Sequence, residues 1–260
     1  MKSNFITVTL KFSAFVSNFR IPFVIRYSEK WKKKAQEISK FLSVLDIPAE
    51  SLVSAYAGTE LFGGRDRAEV FAEIMSSKPS AETIEYLDKR CTNGFEHFRG
   101  GRSGAEYAAD LIISWIQEDA ILSMLASSGI AIELDGVDKL RDFLPGAQVR
   151  ATSDFVVTGS YGKRKLEVAY DSTGYWRSNH KYDLRDSKYQ RLINEDALIF
   201  GIAIQTVEGF LLDLSTDLEL KTEAIPFHHI YKKPAYSIVG IDTVLQPLVE
   251  AVAKLQLIVG

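Results

Sequence analysis

Apolar and polar positions alternate at the start of the chain. Phe5–Phe12 has the period of two of a strand, and the apolar run through Phe15, Phe19 and Ile21 to Ile25 predicts a second. Ser28 then stands as an N-cap for a helix over Glu29–Leu45, with Trp31, Ala35, Ile38, Leu42 and Leu45 at helical spacing. Further helices are expected over Pro48–Ala57, Asp66–Ser76 and Ser80–Cys91, punctuated by a turn at Phe62-Gly63-Gly64-Arg65 and by Pro79, with Thr92-Asn93-Gly94 closing the last. Ser103 and Glu106 have capping-box spacing ahead of a long helix to Ser127. Ala108, Leu111, Ile112, Trp115, Ile116, Ile121, Leu122 and Leu125 cover most of its circumference, which predicts a central, buried helix.

Beyond Gly129, a short strand is expected at Ile130–Leu134 and a short helix at Val137–Leu144, stopped by Pro145-Gly146. Gln148–Val157 and Lys165–Tyr170 flank a Gly159–Gly162 turn and predict a hairpin. A polar and aromatic loop, Ser172–His180, leads to a predicted helix over Lys181–Glu195. Ala197–Gln205 is almost continuously apolar, the pattern of a strand buried on both faces. Phe210–Leu214 pairs with it across a Glu208-Gly209 turn, Ala224–Val239 reads as irregular, and Ile241–Val259 reads as an amphipathic helix interrupted by Pro247. The pattern predicts the α/β class: a central mixed β-sheet flanked by helices. A strand pair and helical elaboration occupy 1–98 and an α/β core with a C-terminal helix occupies 99–260, together forming one compact unit.

Composition narrows the picture little. The chain has 260 residues, 31 Lys and Arg against 34 Asp and Glu, and a net charge of −3, so a nucleic-acid partner would have to be met by a local basic patch. Lys30, Lys32, Lys33 and Lys34 form such a run on the first turns of a helix, either as a solvated face or as a contact to phosphates. The apolar runs fall short of a membrane span of ~20 residues, and FITVTLKF, with its Lys11, lacks the form of a signal segment. The single cysteine, Cys91, is compatible with a reducing cytoplasm.

The candidate chemistry lies in the hairpin. Asp154 opens one apolar run and Glu167 sits within the next, so the turn between them can bring the two carboxylates together. Paired carboxylates in an apolar sheet cost free energy unless they hold a cation or share a proton. A solvated strand face is the plainer alternative, and a glycosidase-like acid/base pair is a third. Residues 103–206 resemble the PD-(D/E)XK nuclease superfamily, the fold of many type II restriction endonucleases. The order of elements carries the resemblance: a long helix, a strand with Asp, a strand with Glu, a helix and a buried strand. Ser153-Asp154 stands for Pro-Asp, and Glu167-Val168-Ala169 stands for Glu-x-Lys. The resemblance implies a restriction-endonuclease-like core. Its Mg²⁺ would be held by Asp154, Glu167 and the carbonyl of Val168, and Glu106 would complete the shell unless it serves only as the capping partner of Ser103. Ala169 replaces the family's lysine, and the superfamily includes members that supply that cation from another element. Lys181, Lys188 and Lys165 are the candidates here, with Arg185 a further one.

The loop residues Tyr175, Trp176, Arg177, Asn179 and His180 mix rings, donors and a cation, as does the patch around Lys232 and Lys233; with Arg185 they are the candidates for contact with DNA. His228 and His229 lack a third metal ligand at suitable spacing. Thr158–Arg164 imitates part of a P-loop but lacks its first Gly and the Ser/Thr after the lysine, so no nucleotide cofactor is expected. The resemblance implies an Mg²⁺-dependent, sequence-specific double-stranded DNA endonuclease, cytoplasmic, without a membrane partner, and a homodimer to match two-fold sites. The alternative is a non-catalytic DNA-binding or assembly protein that keeps the fold.

Overall fold

The computed structural model describes residues 33–61, 64–91, 102–136, 138–142, 152–160, 162–216 and 220–260. The two strands expected before residue 26, the Ser28 cap, the turn at 92–94 and the Pro145-Gly146 stop lie outside these residues. Contacts divide the chain into two units, Met1–Ser39 with Pro48–Ser114 and Lys40–Ile47 with Trp115–Gly260. A helix described over 33–44 (α1) and the long helix Gly104–Ser127 (α5) each run from one unit into the other. Among the described residues no helix is long and apolar enough to cross a membrane.

The first unit is mainly helical. It contains α2 (Ala49–Ser54), a minimal antiparallel hairpin of β1 (Glu60–Leu61) and β2 (Arg65–Asp66), and the helices α3 (Arg67–Met75) and α4 (Ala81–Arg90). Asp66 starts α3 by accepting the N–H groups of Ala68 and Glu69 at 2.8 and 3.3 Å, and Ser80 starts α4 through the N–H of Thr83 at 3.1 Å. Both caps satisfy amide donors that the first turn leaves without partners. Val70, Phe71, Ile74 and Leu87 are buried from these helices.

The second unit is built on a six-stranded mixed sheet flanked by helices. After α5 come β3 (Ala131–Leu134), β4 (Phe155–Gly159) and β5 (Gly162–Asp171), an antiparallel meander with Leu134 opposite Phe155 and Phe155 opposite Leu166. A short helix α6 (Tyr175–Asn179), strand β6 (Lys181–Arg185) and helix α7 (Asp186–Asn194) then form a crossover. It returns the chain to β7 (Leu198–Ala203), which pairs parallel to β5 with Glu167 beside Ile199. Strand β8 (Glu208–Asp213) adds antiparallel to β7. Two further strands, β9 (Lys221–His228) and β10 (Lys233–Val239), join β6 in a separate three-stranded sheet ordered β6-β10-β9. The short strand β11 (Gln246–Pro247) completes the main sheet in the order β11-β8-β7-β5-β4-β3, and helix α8 (Leu248–Val259) ends the chain. Every residue of β7 is buried, as its unbroken apolar run predicts. Gly201 is required there, because a Cβ would lie 2.2 Å from the ring of Phe210, its neighbour across the pair.

Several expectations are corrected. Lys181–Glu195 is a strand followed by a helix, because Tyr182, Asp183 and Leu184 are all buried and pair with β10. The supposedly irregular Ala224–Val239 is a hairpin. Its Pro226 lies on β9, an edge strand with a side that needs no donor, and Pro234 falls at a break in register between Lys233 and Ala235. The final helix begins only at Leu248, after a 3₁₀ turn over Ile241–Thr243 and the β11 pairing. The helix expected at Val137–Leu144 is a single 3₁₀ turn, Asp138–Leu140, within the described residues.

Candidate functional site

Glu167 lies in the middle of β5, where parallel pairing with β7 buries it to 3 % exposure. A buried carboxylate needs charged or hydrogen-bonding partners, and α7 supplies two. Lys188 Nζ pairs with one oxygen and Arg191 Nη2 with the other at 2.9 Å. Arg191 also reaches Ser153 Oγ at 3.3 Å and Glu195 at 3.5 Å, tying α7 to the residue before Asp154. Asp154 accepts the N–H of Val168 at 2.7 Å, a bond possible because the regular β4–β5 pairing stops one residue earlier, at Phe155 and Leu166. Burial, with the charges of Glu167 and Glu118, pushes the Asp154 carboxyl well above the usual carboxylate range.

Glu118 comes from α5 and is itself buried. It pairs with Arg141, which also reaches Asp119 at 2.6 Å. Burial opposes the charge on that guanidinium, and the two acids outweigh it, raising Arg141 above its ordinary value. Arg141 adopts φ 47°, a strained backbone for a non-glycine residue, and the two ion pairs hold it there. Tyr170 is pushed well above its ordinary value, first by burial and then by Glu118 and Asp154, and remains a phenol. Among the described residues its hydroxyl is buried without a hydrogen-bond partner, as is Thr152 Oγ1.

Of these groups Thr152, Glu167, Tyr170, Lys188 and Arg191 border a cavity of about 670 Å³, with Arg185 beside them, while Asp154, Glu118 and Arg141 lie outside its wall. Its far side is the second sheet, where Asp183 and Tyr231 contribute. Asp183 is buried and accepts from Ser237, Tyr175 and His228. Burial alone would raise it, but those bonds and Lys181 at 3.5 Å prevail and hold it below the usual range. Arg185 lies over the Tyr231 ring at 5.4 Å.

The sequence candidates therefore separate. Asp154, Glu167, Val168 and Lys188 are brought together, and Arg185 borders the same cavity. Lys165 pairs instead with Asp135, and Lys181 sits on β6 beside Asp183 with its ammonium 5.9 Å from the Tyr175 ring centre. Glu106 closes the capping box: it accepts the Ser103 N–H at 3.0 Å while Ser103 Oγ accepts the Glu106 N–H at 3.2 Å, and both belong to the first unit. In the polar loop Trp176 is buried and Tyr175 half-buried, whereas Arg177, Asn179 and His180 are exposed, and each is bonded within the protein. Trp176 is buried against Tyr182 and Phe210, Tyr175 bonds Asp183, Arg177 pairs with Glu208, Asn179 bonds the carbonyl of Tyr175 at 3.1 Å, and His180 bonds Asp242 at 2.8 Å. Lys232 and Lys233 are exposed at the β9–β10 turn.

Sequence reasoning missed Glu118, Arg191 and Asp183. Two adjacent acids in the middle of a largely apolar helix are a legible signal for Glu118 and Asp119. The position of Arg191, one turn beyond Lys188 on the same helix face, signals the second cation. Asp183 gave none, because the strand that buries it was taken for a helix.

Among the described residues no group of three or more His, Cys, Asp or Glu side chains is arranged to hold a metal ion. The pair Asp154 and Glu167 still suits a hard divalent cation that keeps most of its waters. Their mutual repulsion is the kind a bound cation relieves, and the ion pairs to Lys188 and Arg191 leave further lone pairs on the Glu167 oxygens. No family model matches the sequence, and no curated protein or solved structure matches it either.

Proposed function

We propose that the second unit is an Mg²⁺-dependent endonuclease core acting on double-stranded DNA, sequence-specific in the manner of type II restriction enzymes. The observation that carries the reading is Lys188: a cation from α7 pairs with Glu167, in a chain where Ala169 leaves the Glu-x-Lys pattern without its lysine. The order α5, β3-β4-β5 meander, α7 and parallel β7 supports it, as the order of a restriction-endonuclease-like core. Homodimerisation, matching two-fold DNA sites, and a cytoplasmic setting belong to the same reading.

Asp154 and Glu167, with the Val168 carbonyl, would hold the Mg²⁺, which when bound favours deprotonation of a water and offsets charge on phosphate oxygens. The chain's own residues do the positioning. The Val168 N–H orients Asp154, Arg191 fixes Glu167, and Lys188 presents a cation at the cavity beside that carboxylate. Arg185, Lys188 and Arg191 draw a phosphate toward the cavity, where low dielectric strengthens their hold on developing negative charge.

Ala169 and the full pairing of Glu167 favour a second reading, in which the fold binds DNA without cutting it. Incubation with mixed plasmid DNA, in Mg²⁺ and in EDTA, separates the two. Discrete Mg²⁺-dependent fragments are expected, abolished by Asp154→Ala and slowed by Lys188→Ala on the order of 10²–10³-fold. Retarded but uncut DNA selects the second reading, and DNA neither retarded nor cut removes both.

A further inference from the structure

The β9–β10 turn carries two large apolar side chains in water, Phe227 at 63 % and Ile230 at 64 % exposure. Alternation on β9 explains the first: His228 turns inward and is buried, so its neighbour Phe227 turns outward. Between them and Lys233 the turn is fastened from below. His228 Nδ1 accepts the Tyr231 N–H at 3.3 Å, which leaves Nε2 to carry the proton and donate it to Asp183 at 3.1 Å. Lys232 donates its N–H to the His228 carbonyl at 2.8 Å, and the Tyr231 hydroxyl donates to the Asp183 carbonyl at 2.9 Å. The His228 and Tyr231 rings stack with centroids 4.4 Å apart. A buried Asp–His network is thus spent on holding a surface turn rigid, and the same Tyr231 borders the cavity of Glu167 and Lys188.

We infer that this turn is an apolar wedge that enters the base stack of the DNA at the mouth of the cavity; the inference rests on the DNA reading above. Phe and Ile are the side-chain types that separate base steps, and a rigid arm loses little freedom on insertion. The charge around the arm selects the occupant. Arg185, Lys232 and Lys233 flank it, Lys188 and Arg191 lie along the cavity paired with Glu167, and the acid within the network, Asp183, is buried and bonded. Glu223, exposed on β9, is paired with Lys221 at 2.6 Å. A polyanion with an apolar interior fits this surface. In a two-fold interface centred on this turn, a second copy of the chain would set these cations against their own kind.

The test uses the full chain on plasmid DNA in EDTA, with gel retardation for affinity, permanganate to mark unstacked thymines, and sedimentation for oligomeric state. The wild-type protein is expected to create hyperreactive thymines at its bound sites. Phe227→Ala/Ile230→Ala, with an unchanged circular dichroism spectrum, is expected to bind about tenfold more weakly and to leave no such thymines. Phe227→Leu/Ile230→Leu, which keeps the apolar bulk, is expected to retain both. Equal retardation and equal permanganate patterns for wild type and the alanine variant overturn the wedge while leaving the DNA reading standing. Failure of the wild-type protein to retard DNA removes both. Dissociation of a wild-type dimer by the alanine variant assigns the patch to a second copy and overturns the wedge.

Discussion

At Glu167 two cations meet one carboxylate, and they are not equivalent. Arg191 is mostly buried and also holds Ser153 and Glu195, whereas the Lys188 side chain is about a third exposed. Breaking a buried pair leaves a charge uncompensated, so Arg191→Ala is expected to lower unfolding free energy by about 3 kcal/mol. Lys188→Ala is expected to cost about 1 kcal/mol or less. Chemical denaturation of the two variants checks the order; a larger loss for Lys188→Ala overturns it. Combined with cleavage, the comparison separates holding the carboxylate from acting at the cavity. Tyr170 gives the opposite prediction. Among the described residues its buried hydroxyl has no acceptor, a desolvation cost of ~1–3 kcal/mol. Tyr170→Phe keeps the edge contact with Phe41, whose ring centre lies 5.3 Å away, and removes that cost. Thermal melting is expected to move up by about 2–4 °C, and a fall would show that the hydroxyl is bonded in the folded protein.

Arg164 shows how one side chain secures the order of strands. It leaves β5, passes the start of β7 and pairs with Asp213 at the end of β8 at 2.8 Å, while its Nη2 bonds the Asp196 carbonyl at 2.9 Å. Burial opposes the charge on Asp213, but bonds from Arg164 and Ser215 prevail and lower it to about 2. The unfolded carboxylate binds its proton near pH 4, before the folded one does, so this contribution is complete above about pH 4 and lost as pH falls toward 2. Asp213→Asn is expected to lower the melting temperature at pH 7, with the difference from wild type shrinking below pH 4. A difference that stays constant down to pH 2 overturns the account. The elements themselves were unevenly legible. The hairpin that carries Glu167 is marked by two apolar runs about the Gly159–Gly162 turn, and β7 is apolar throughout. Strand β9 is exposed along most of its length and carries Pro226, so neither period nor composition marks it. Strand β6 is five residues long, contains Asp183, and runs directly into a helix whose pattern absorbs it.

For the molecule as a whole, the α/β class and the mixed sheet with flanking helices follow from local patterns, because β4, β5, β7 and β8 each bury apolar residues from a run that the sequence shows. The second sheet does not, because β6 joins the β9–β10 hairpin only through tertiary pairing between distant segments. The same limit applies to the site. Lys188 could be named from its helix, but its bond to Glu167, the role of Arg191 and the place of Glu118 depend on contacts between segments far apart in sequence. The division into two units is marked only in part, since it crosses the chain inside α1 and inside α5 as well as at Pro48.

The parallel pairing of β5 and β7 has a consequence for how the chain is made. A hairpin can close as soon as its second strand leaves the ribosome, whereas a parallel pair must wait for its whole crossover. Lys188 and Arg191 ride on that crossover, and β7 follows it. A nascent chain that has reached Asp171 therefore carries Asp154 and Glu167 without their cations. The charged cluster becomes complete only when residues through Ala203 have emerged, so the cluster and the centre of the sheet come into being in one late step.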